Sequence, residues 1–491
     1  MKRLALILIA LVLATFSGAG LNRHVSTCPA EGGTEPERAM SVAREPQGTL
    51  GAEPLNKVQR TVRALDSKGG ALENSTWGIL AVNFQGDTLA QLNKGKRLVP
   101  ASNMKLVTTA AAYLKLGRNY TFKTQIATDG TIQDSTLVGN LYIIGGGDPL
   151  IGNLFTYLPA EDVPFGKWRK VLEDNGIRRI EGNLIGDGSY FSGEMRHTDW
   201  STEDERSKDG VVPAGLTWRG KMEDSLPDGP FAAAAYFHRW LLQNGIVVTG
   251  VAKASQESVV YSATATHEIT PENKFSGGPD RLAQKTSVND SSCAASTPDS
   301  LTLLGTAQSA TLNHIATITN HQSDNFCAET LLKAIGKADN GSDDYDTATE
   351  ALHRALAPIG MAGPSAKMRF ADGSGLSRKN YLTPEFIVSL LRGMARTSVY
   401  KDYLNSLPRP GRKDGTLQTR LPKAPAPVKN RIYMKSGSMN GVRCFSGYIL
   451  PSDGDTRKTI AFSIMVNNHV GGQAALAPVL DQLILELANE N

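Results

Sequence analysis

The sequence predicts an α+β fold in which strands from both ends of the chain form one antiparallel sheet and the helices between them pack against it. Three observations carry this reading. Near the start, Trp77-Gly-Ile-Leu-Ala-Val-Asn-Phe84 and Thr88-Leu-Ala-Gln-Leu92, joined by the turn Gln85-Gly-Asp87, read as a β-hairpin. Near the end, the apolar segments Arg431–Ser438, Val442–Leu450 and Ile460–Val466 are separated by turn residues and read as an antiparallel meander. Between them lie helical patterns at Ala310–Thr319, Asn325–Ile335 and Pro384–Met394, and an amphipathic helix over Ala474–Ala488 closes the chain. Strands at both ends with helices between them mark the α+β class.

At 491 residues the chain exceeds one compact core. Residues 1–19 are expected to be a cleaved secretory signal. Lys2 and Arg3 precede the apolar run Leu4–Phe16, and small residues follow. That run is shorter than the roughly 20 residues of a spanning helix, so the mature protein is expected in the periplasm, peripheral to the membrane at most. Residues 20–50, rich in Gly, Pro, Glu and Arg without apolar periodicity, read as a linker. Residues 51–125 and 301–491 read as two halves of one domain, and 126–300 as an α/β insertion. The insertion has strands at Leu137–Ile144, Gly182–Asp187 and Ile246–Thr249 and helices at Lys167–Asp174 and Ala232–Gln243, with an unpatterned stretch from Ala254 to Ser300.

Composition excludes several classes. A formal net charge of +4 gives no reason to expect nucleic acid as a partner. The eight histidines have no metal-ligand spacing, and the four cysteines include no Cys-x-x-Cys pair, so no metal and no cofactor is expected. Cys327 and Cys444 read as small buried apolar residues. Gly145-Gly-Gly-Asp148 lacks the lysine of a phosphate loop and reads as a tight turn.

The chemistry concentrates in three places. Pro100-Ala-Ser102-Asn-Met-Lys105 opens an Ala-rich run that ends at Gly117. A helix starting near Ser102 puts a hydroxyl and an amine three residues apart on one face. The pattern reads as a serine nucleophile that uses lysine as its base in place of histidine. An ordinary lysine, with pKa about 10.4, is neutral at pH 7 only at a cost of roughly 4–5 kcal/mol; burial and a second cation can supply that shift. The same spacing recurs at Ser398/Lys401, which reads as a solvated helix end. Ser323-Asp324-Asn325 opens another helix. It offers a cap, a second hydroxyl to relay a proton, and an amide to hold a substrate carbonyl. Lys435-Ser436-Gly437 sits inside an apolar strand, where an unpaired lysine is out of place. Gly437 lets a ligand backbone lie alongside, and Lys435 with Ser436 can grip a carboxylate.

In this order the three elements resemble the penicillin-recognising serine acyl-transferases, with Ser436 in place of the usual threonine. Further segments extend the likeness: Gly139-Asn-Leu-Tyr-Ile-Ile-Gly-Gly-Gly-Asp148, Asp372-Gly-Ser-Gly-Leu-Ser-Arg378, Leu407-Pro408 with Gly411, Asp414-Gly-Thr416-Leu417 and Lys435-Ser-Gly-Ser-Met-Asn-Gly441. Together they resemble the D-alanyl-D-alanine carboxypeptidase/endopeptidases of peptidase family S13, the low-molecular-mass class C penicillin-binding proteins. The resemblance implies a serine β-lactamase/transpeptidase-like domain. It also implies hydrolysis of peptidoglycan stem peptides ending in D-Ala-D-Ala through an acyl-enzyme, with β-lactams as inhibitors. The roles it implies are Ser102 as nucleophile, Lys105 as base, Ser323 as proton relay, and Asn325, Lys435, Ser436 and Gly437 as substrate binders. The backbone amides of Ser102 and Ser438 would form the oxyanion hole. Asp187 and Arg378 match positions near the pocket that reads a diamino acid's free end. Two rivals remain. A class A β-lactamase would need a Glu-x-x-Leu-Asn element, and none follows the nucleophile. A non-catalytic penicillin-binding sensor is the other, although all three motifs are intact.

Overall fold

The computed structural model describes residues 55–65, 74–152, 164–194, 196–200, 213–219, 229–255, 301–470 and 472–490. The expected signal, the linker, residues 256–300, Cys28 and Cys293 lie outside the described residues. In chain order a short helix α1 (Lys57–Arg63) leads to the hairpin β1 (Thr76–Asn83) and β2 (Thr88–Leu92), and then to α2 (Met104–Lys115). Next come β3 (Lys123–Thr128), β4 (Thr131–Gln133), β5 (Thr136–Val138) and β6 (Leu141–Ile144). Helix α3 (Pro164–Asp174), β7 (Arg179–Glu181), β8 (Leu184–Asp187), α4 (Gly229–Gln243), β9 (Val247–Val248) and β10 (Ala252–Ala254) follow. After β11 (Thr302–Gln308) the chain becomes helical: α5 (Leu312–His321), α6 (Asn325–Asn340), α7 (Tyr345–Ala355) and α8 (Pro384–Met394). The meander β12 (Ile432–Met439), β13 (Val442–Ile449) and β14 (Ile460–Asn467) precedes the closing helix α9 (Gly472–Asn489).

The first sheet joins the two ends of the chain in the order β12-β13-β14-β1-β2. All of its ladders are antiparallel, and β1 lies beside β14 from Thr76↔Asn467 to Asn83↔Ile460. Both its faces are buried. One carries Trp77, Ile79, Phe462 and Ile464 with Leu480 and Ile484 of α9, and the other carries Tyr448, Ala461 and Met465 and packs on α8. This accounts for the near-continuous apolar runs in β1 and β14, since a sheet covered on both sides has no polar face to alternate with. Helix α2 is buried from Met104 to Tyr113 for the same reason: it crosses the core between the sheet and α5, α6 and α7.

The second sheet runs β10-β8-β6-β3-β11 and the third β4-β5-β7-β9. The run Leu137–Ile144, expected as one strand, is two. Gly139 adopts φ +139, which breaks the strand and sends β5 and β6 to different sheets. Residues 302–308, ahead of the first expected helix of the C-terminal half, form a strand that pairs with β3. A separate core holds Phe165, Trp168, Phe237 and Leu241, where α3 and α4 cover these sheets.

One contact reaches from residues 213–219 to the motif helix α6. Arg219 donates from Nη2 to Asp324 Oδ2 at 2.7 Å and lies 4.6 Å over the Phe326 ring. Asp324 is the N-cap of α6 and accepts from Cys327 N at 2.8 Å. Burial pushes the Asp324 carboxyl up, but the Arg219 guanidinium and the Cys327 N–H outweigh it and hold it below its ordinary value. Replacing Arg219 with alanine is therefore expected to strand a buried carboxylate and destabilise the fold by about 3 kcal/mol in urea unfolding at neutral pH. The sign in acid follows from the lowered value. The wild-type advantage is present above the ordinary carboxyl pKa of about 3.9 and fades as pH falls through the lowered one.

Candidate active site

The Ser102 motif opens with a turn of 3₁₀ helix, Ala101–Asn103, before α2 begins at Met104. Ala101 is held at φ +45, a conformation L side chains avoid. Asn103 anchors the turn by donating to Ser446 Oγ at 2.7 Å, and that hydroxyl continues to Ser463 Oγ at 2.9 Å. The motif is thereby pinned to β13 and β14.

The Lys105 amine is fully buried among polar groups. Nζ lies 3.0 Å from Ser102 Oγ, 2.6 Å from Asn325 Oδ1 and 2.7 Å from the Ser374 carbonyl oxygen. Two of these partners are carbonyl oxygens and can only accept. A neutral amine has two N–H groups for them and one lone pair, which is left for the Ser102 hydroxyl. The geometry therefore suits a lysine that takes a proton from serine.

Lys435 closes the other side. It too is fully buried, and its Nζ lies 2.9 Å from Ser323 Oγ and 2.7 Å from the Ser436 carbonyl oxygen. Burial first, then the charges of Lys105 and Arg443, hold its pKa well below the ordinary value. Ser323 itself sits at φ +58, just ahead of the α6 cap. Strand β12 runs hard against the nucleophile turn: a Cβ on Gly437 would fall 2.6 Å from the Pro100 carbonyl oxygen and 3.2 Å from Ser102 N. Only glycine permits that approach. The strand is an edge of the first sheet, so one side of its backbone is unpaired within that sheet. Thr416 Oγ1 lies 3.4 Å from Ser436 Oγ, and the Thr416 backbone is tied to the end of α5 through a bond to the His321 carbonyl.

Ser102, Lys105, Ser323, Asn325, Lys435, Ser436 and Gly437 are thus gathered together, and Ser438 continues β12 at an exposed position. Asp187 and Arg378 make separate local contacts. Asp187, at the end of β8, accepts from Ser189 N at 2.8 Å, and the exposed Arg378 donates to the Asn440 carbonyl at 2.9 Å. A cleft of about 450 Å³, lined by Tyr120, Lys123, Gln125, Gly145 and Tyr190, opens beside β6. Gly145-Gly-Gly-Asp148, expected as a tight turn, is irregular chain after β6; the turn comes next, at 149–152, with Asp148 accepting from Leu150 N at 2.9 Å. Ser398 and Lys401 are exposed at the start of a short helix, Tyr400–Asn405. Cys327 and Cys444 are free and buried. Sequence reasoning missed Glu329, which is buried on α6 and accepts from Gly373 N and Ser374 N. Nothing in the local pattern singles it out, because Asn325 and Lys333 share its helix face.

The sequence profile of the D-Ala-D-Ala carboxypeptidase 3 (S13) family matches residues 58–225 and 232–487. The chain belongs to this S13 family. The S13 expectation and the α+β fold are both borne out, and the protein is a serine-type D-Ala-D-Ala carboxypeptidase acting on peptidoglycan. The D-alanyl-D-alanine carboxypeptidase of Actinomadura sp. (strain R39) is 28% identical over 499 residues, spanning 90% of this chain and 88% of that protein. The D-alanyl-D-alanine carboxypeptidase DacB of Haemophilus influenzae is 24% identical over 433 residues, spanning 82% and 87%. Among solved structures, penicillin binding protein 4 (dacB) from Haemophilus influenzae superposes with a TM-score of 0.65 at 22% identity, over 87% of this chain and 98% of that one. This S13 chain has, among its described residues, no helix long and apolar enough to cross a membrane.

The lowered pKa of Lys435 has a measurable consequence. Between that value and about 10.4 the folded state binds fewer protons than the unfolded one, so stability rises with pH by up to about 1.4 kcal/mol per unit. Lys435→Met lacks this contribution. Urea unfolding at stepped pH should show wild type gaining on the methionine variant as pH rises. A difference independent of pH would contradict a depressed Lys435.

Proposed function

We propose that Ser102 is the nucleophile of this carboxypeptidase and Lys105 its general base. The observation that carries the reading is the lysine amine held by two carbonyl oxygens, with the Ser102 hydroxyl 3.0 Å from its nitrogen. Ser102 Oγ attacks the carbonyl between two D-alanines and its proton passes to Lys105 Nζ. The backbone N–H groups of Ser102 and Ser438 receive the oxyanion. Ser323, bridged to Lys435 at 2.9 Å, relays a proton to the departing D-alanine nitrogen. Water then attacks the acyl-enzyme and restores Ser102. Asn325 orients the substrate, and Lys435 with Ser436 binds its terminal carboxylate. The free edge of β12 suits an extended stem peptide laid alongside as a further strand. The same steps cleave a peptide cross-link when the leaving amine belongs to a second stem, which makes D,D-endopeptidase activity an extension of one mechanism.

Asp187 and Arg378 are proposed to read the free end of a diamino acid in the stem. Residues 51–125 and 301–491 are proposed to form the catalytic domain, with 126–300 inserted in it; β3 and β11, at the two junctions, join the sheet of the inserted part. The leader at 1–19 is proposed to direct export to the periplasm, where the stem peptides lie. A β-lactam mimics the dipeptide, acylates Ser102 and is proposed to leave slowly. A second solved structure of the Haemophilus penicillin binding protein 4 is a complex with a novel β-lactam, which supports this reading.

Two measurements test the assignment. Ser102→Ala is expected to abolish labelling by a fluorescent penicillin and D-alanine release from a model pentapeptide. Lys105→Ala is expected to slow acylation by about 100- to 10,000-fold, the span of general-base contributions. Persistent labelling of the Ser102 variant would refute the nucleophile.

A further inference from the structure

Both carbonyl oxygens that hold the Lys105 amine depend on α6. Asn325 supplies one directly. The other belongs to Ser374, and the loop that carries it hangs on Glu329. Glu329 lies one turn beyond Asn325 on the same helix face and is fully buried. Its Oε1 accepts from Ser374 N at 2.7 Å and its Oε2 from Gly373 N at 3.1 Å. From the other side Thr108 Oγ1, on α2, donates to the Gly373 carbonyl at 2.7 Å.

A carboxyl at this place is unfavourable for folding. Burial and the charge of Asp372 push it up to about 8. Lys333 of α6, which faces it along the helix, bonds the Glu194 carbonyl and Asp343. Tyr345 of α7 is the remaining titratable neighbour. A buried acid without an ion pair among the described residues is more than the packing of α6 requires.

We propose that Glu329 is a positioning residue for acylation: by gripping the backbone N–H groups of Gly373 and Ser374 it fixes the Ser374 carbonyl against Lys105 and so aims the lone pair of Lys105 at Ser102. The proposal rests on Lys105 being the base. Two backbone N–H groups call for two acceptor oxygens, and only the ionised carboxylate offers both in full. The grip therefore tightens as pH rises through about 8, where the proton leaves.

The test compares full-length wild type, Glu329→Gln and Glu329→Asp, with Thr330→Val as control. Thr330 Oγ1 is buried on the same helix without a hydrogen-bond partner among the described residues. The readouts are the acylation rate by a fluorescent penicillin per folded site, followed from about pH 6 to about pH 10, and kcat and KM for D-alanine release. Gln keeps the volume but sets its NH₂ against one of the two N–H groups. Its acylation rate and kcat are expected to fall about 100-fold, the scale of an ångström's misplacement, with KM changed by less than about threefold. The inflection near 8 should vanish from its profile. Asp keeps the charge but withdraws it, and should fall between Gln and wild type; Thr330→Val should match wild type.

A folded Gln variant that acylates like wild type overturns the proposal, and so does one that keeps the inflection. If the Gln variant does not fold, the Asp variant decides, and an unchanged rate there overturns it. An inert Ser102→Ala beside a fully active Glu329→Gln would sink the Glu329 assignment alone, whereas a labelled Ser102→Ala would sink the nucleophile reading beneath it.

Discussion

An amine with two carbonyl oxygens on its N–H groups has one direction left for its lone pair, and the site depends on that constraint at Lys105. Asn325 Oδ1 and the Ser374 carbonyl, at 2.6 and 2.7 Å, define the direction, and Ser102 Oγ stands in it at 3.0 Å. Three parts of the chain must meet for this to hold: the start of α2, the start of α6 and the loop from Asp372 to Arg378. None of them is near another in sequence. The first sheet, with β1 beside β14, closes the chain on itself, and α2 crosses the core so formed.

Electrostatics follows from the same packing. Two lysines are buried around two hydroxyls. Lys435 is driven down by burial and by Lys105. Acids lie one layer out: Asp372 accepts from Gly375 N, Ser377 N, Asn380 Nδ2 and Trp200 Nε1, while Glu329 accepts from two backbone N–H groups. Asp324 is matched by Arg219. The amines therefore face a layer of hydrogen-bonded carboxyl groups, with backbone amides and carbonyls as intermediaries. Direct lysine–carboxylate pairing would favour the ammonium form and disable a base. Setting the acids behind backbone groups fixes the geometry without that penalty.

Much of this was legible in the sequence where the signal is local. The hairpin at Trp77–Leu92, the α2 helix ending before Gly117 and the closing meander each carry their own periodicity and turn residues. Lys435 was legible because a lysine inside an apolar strand contradicts its surroundings. What escaped depends on distant partners. Residues 302–308 form β11 only because β3, far back in the chain, offers an edge, and their mixed exposure shows no alternation to read. Glu329 looks like any surface charge on a helix, and only the loop at 373–374 gives it a purpose. Leu137–Ile144 reads as one strand unless Gly139 is known to adopt a positive φ.

Ala101 shows how the pieces constrain one another. A non-glycine residue at φ +45 is strained by an amount of order 1–3 kcal/mol and persists only when its surroundings leave no alternative. Here they leave none. Gly375, at φ +88, presses its Cα side so near the Ala101 carbonyl that a Cβ would fall 2.0 Å from the oxygen. Gly437 meets the Pro100 carbonyl from the strand side, and Asn103 is tied to Ser446 behind the turn. The turn is thus wedged between two glycine-lined backbones, one from the Asp372 loop and one from β12. Relaxing Ala101 would move Ser102 out of line with Lys105, because the hydroxyl and the strained peptide share one 3₁₀ turn. The strain is the local expression of bringing Ser102, Lys105 and strand β12 close together, and the glycines of two separate motifs are what make that approach attainable.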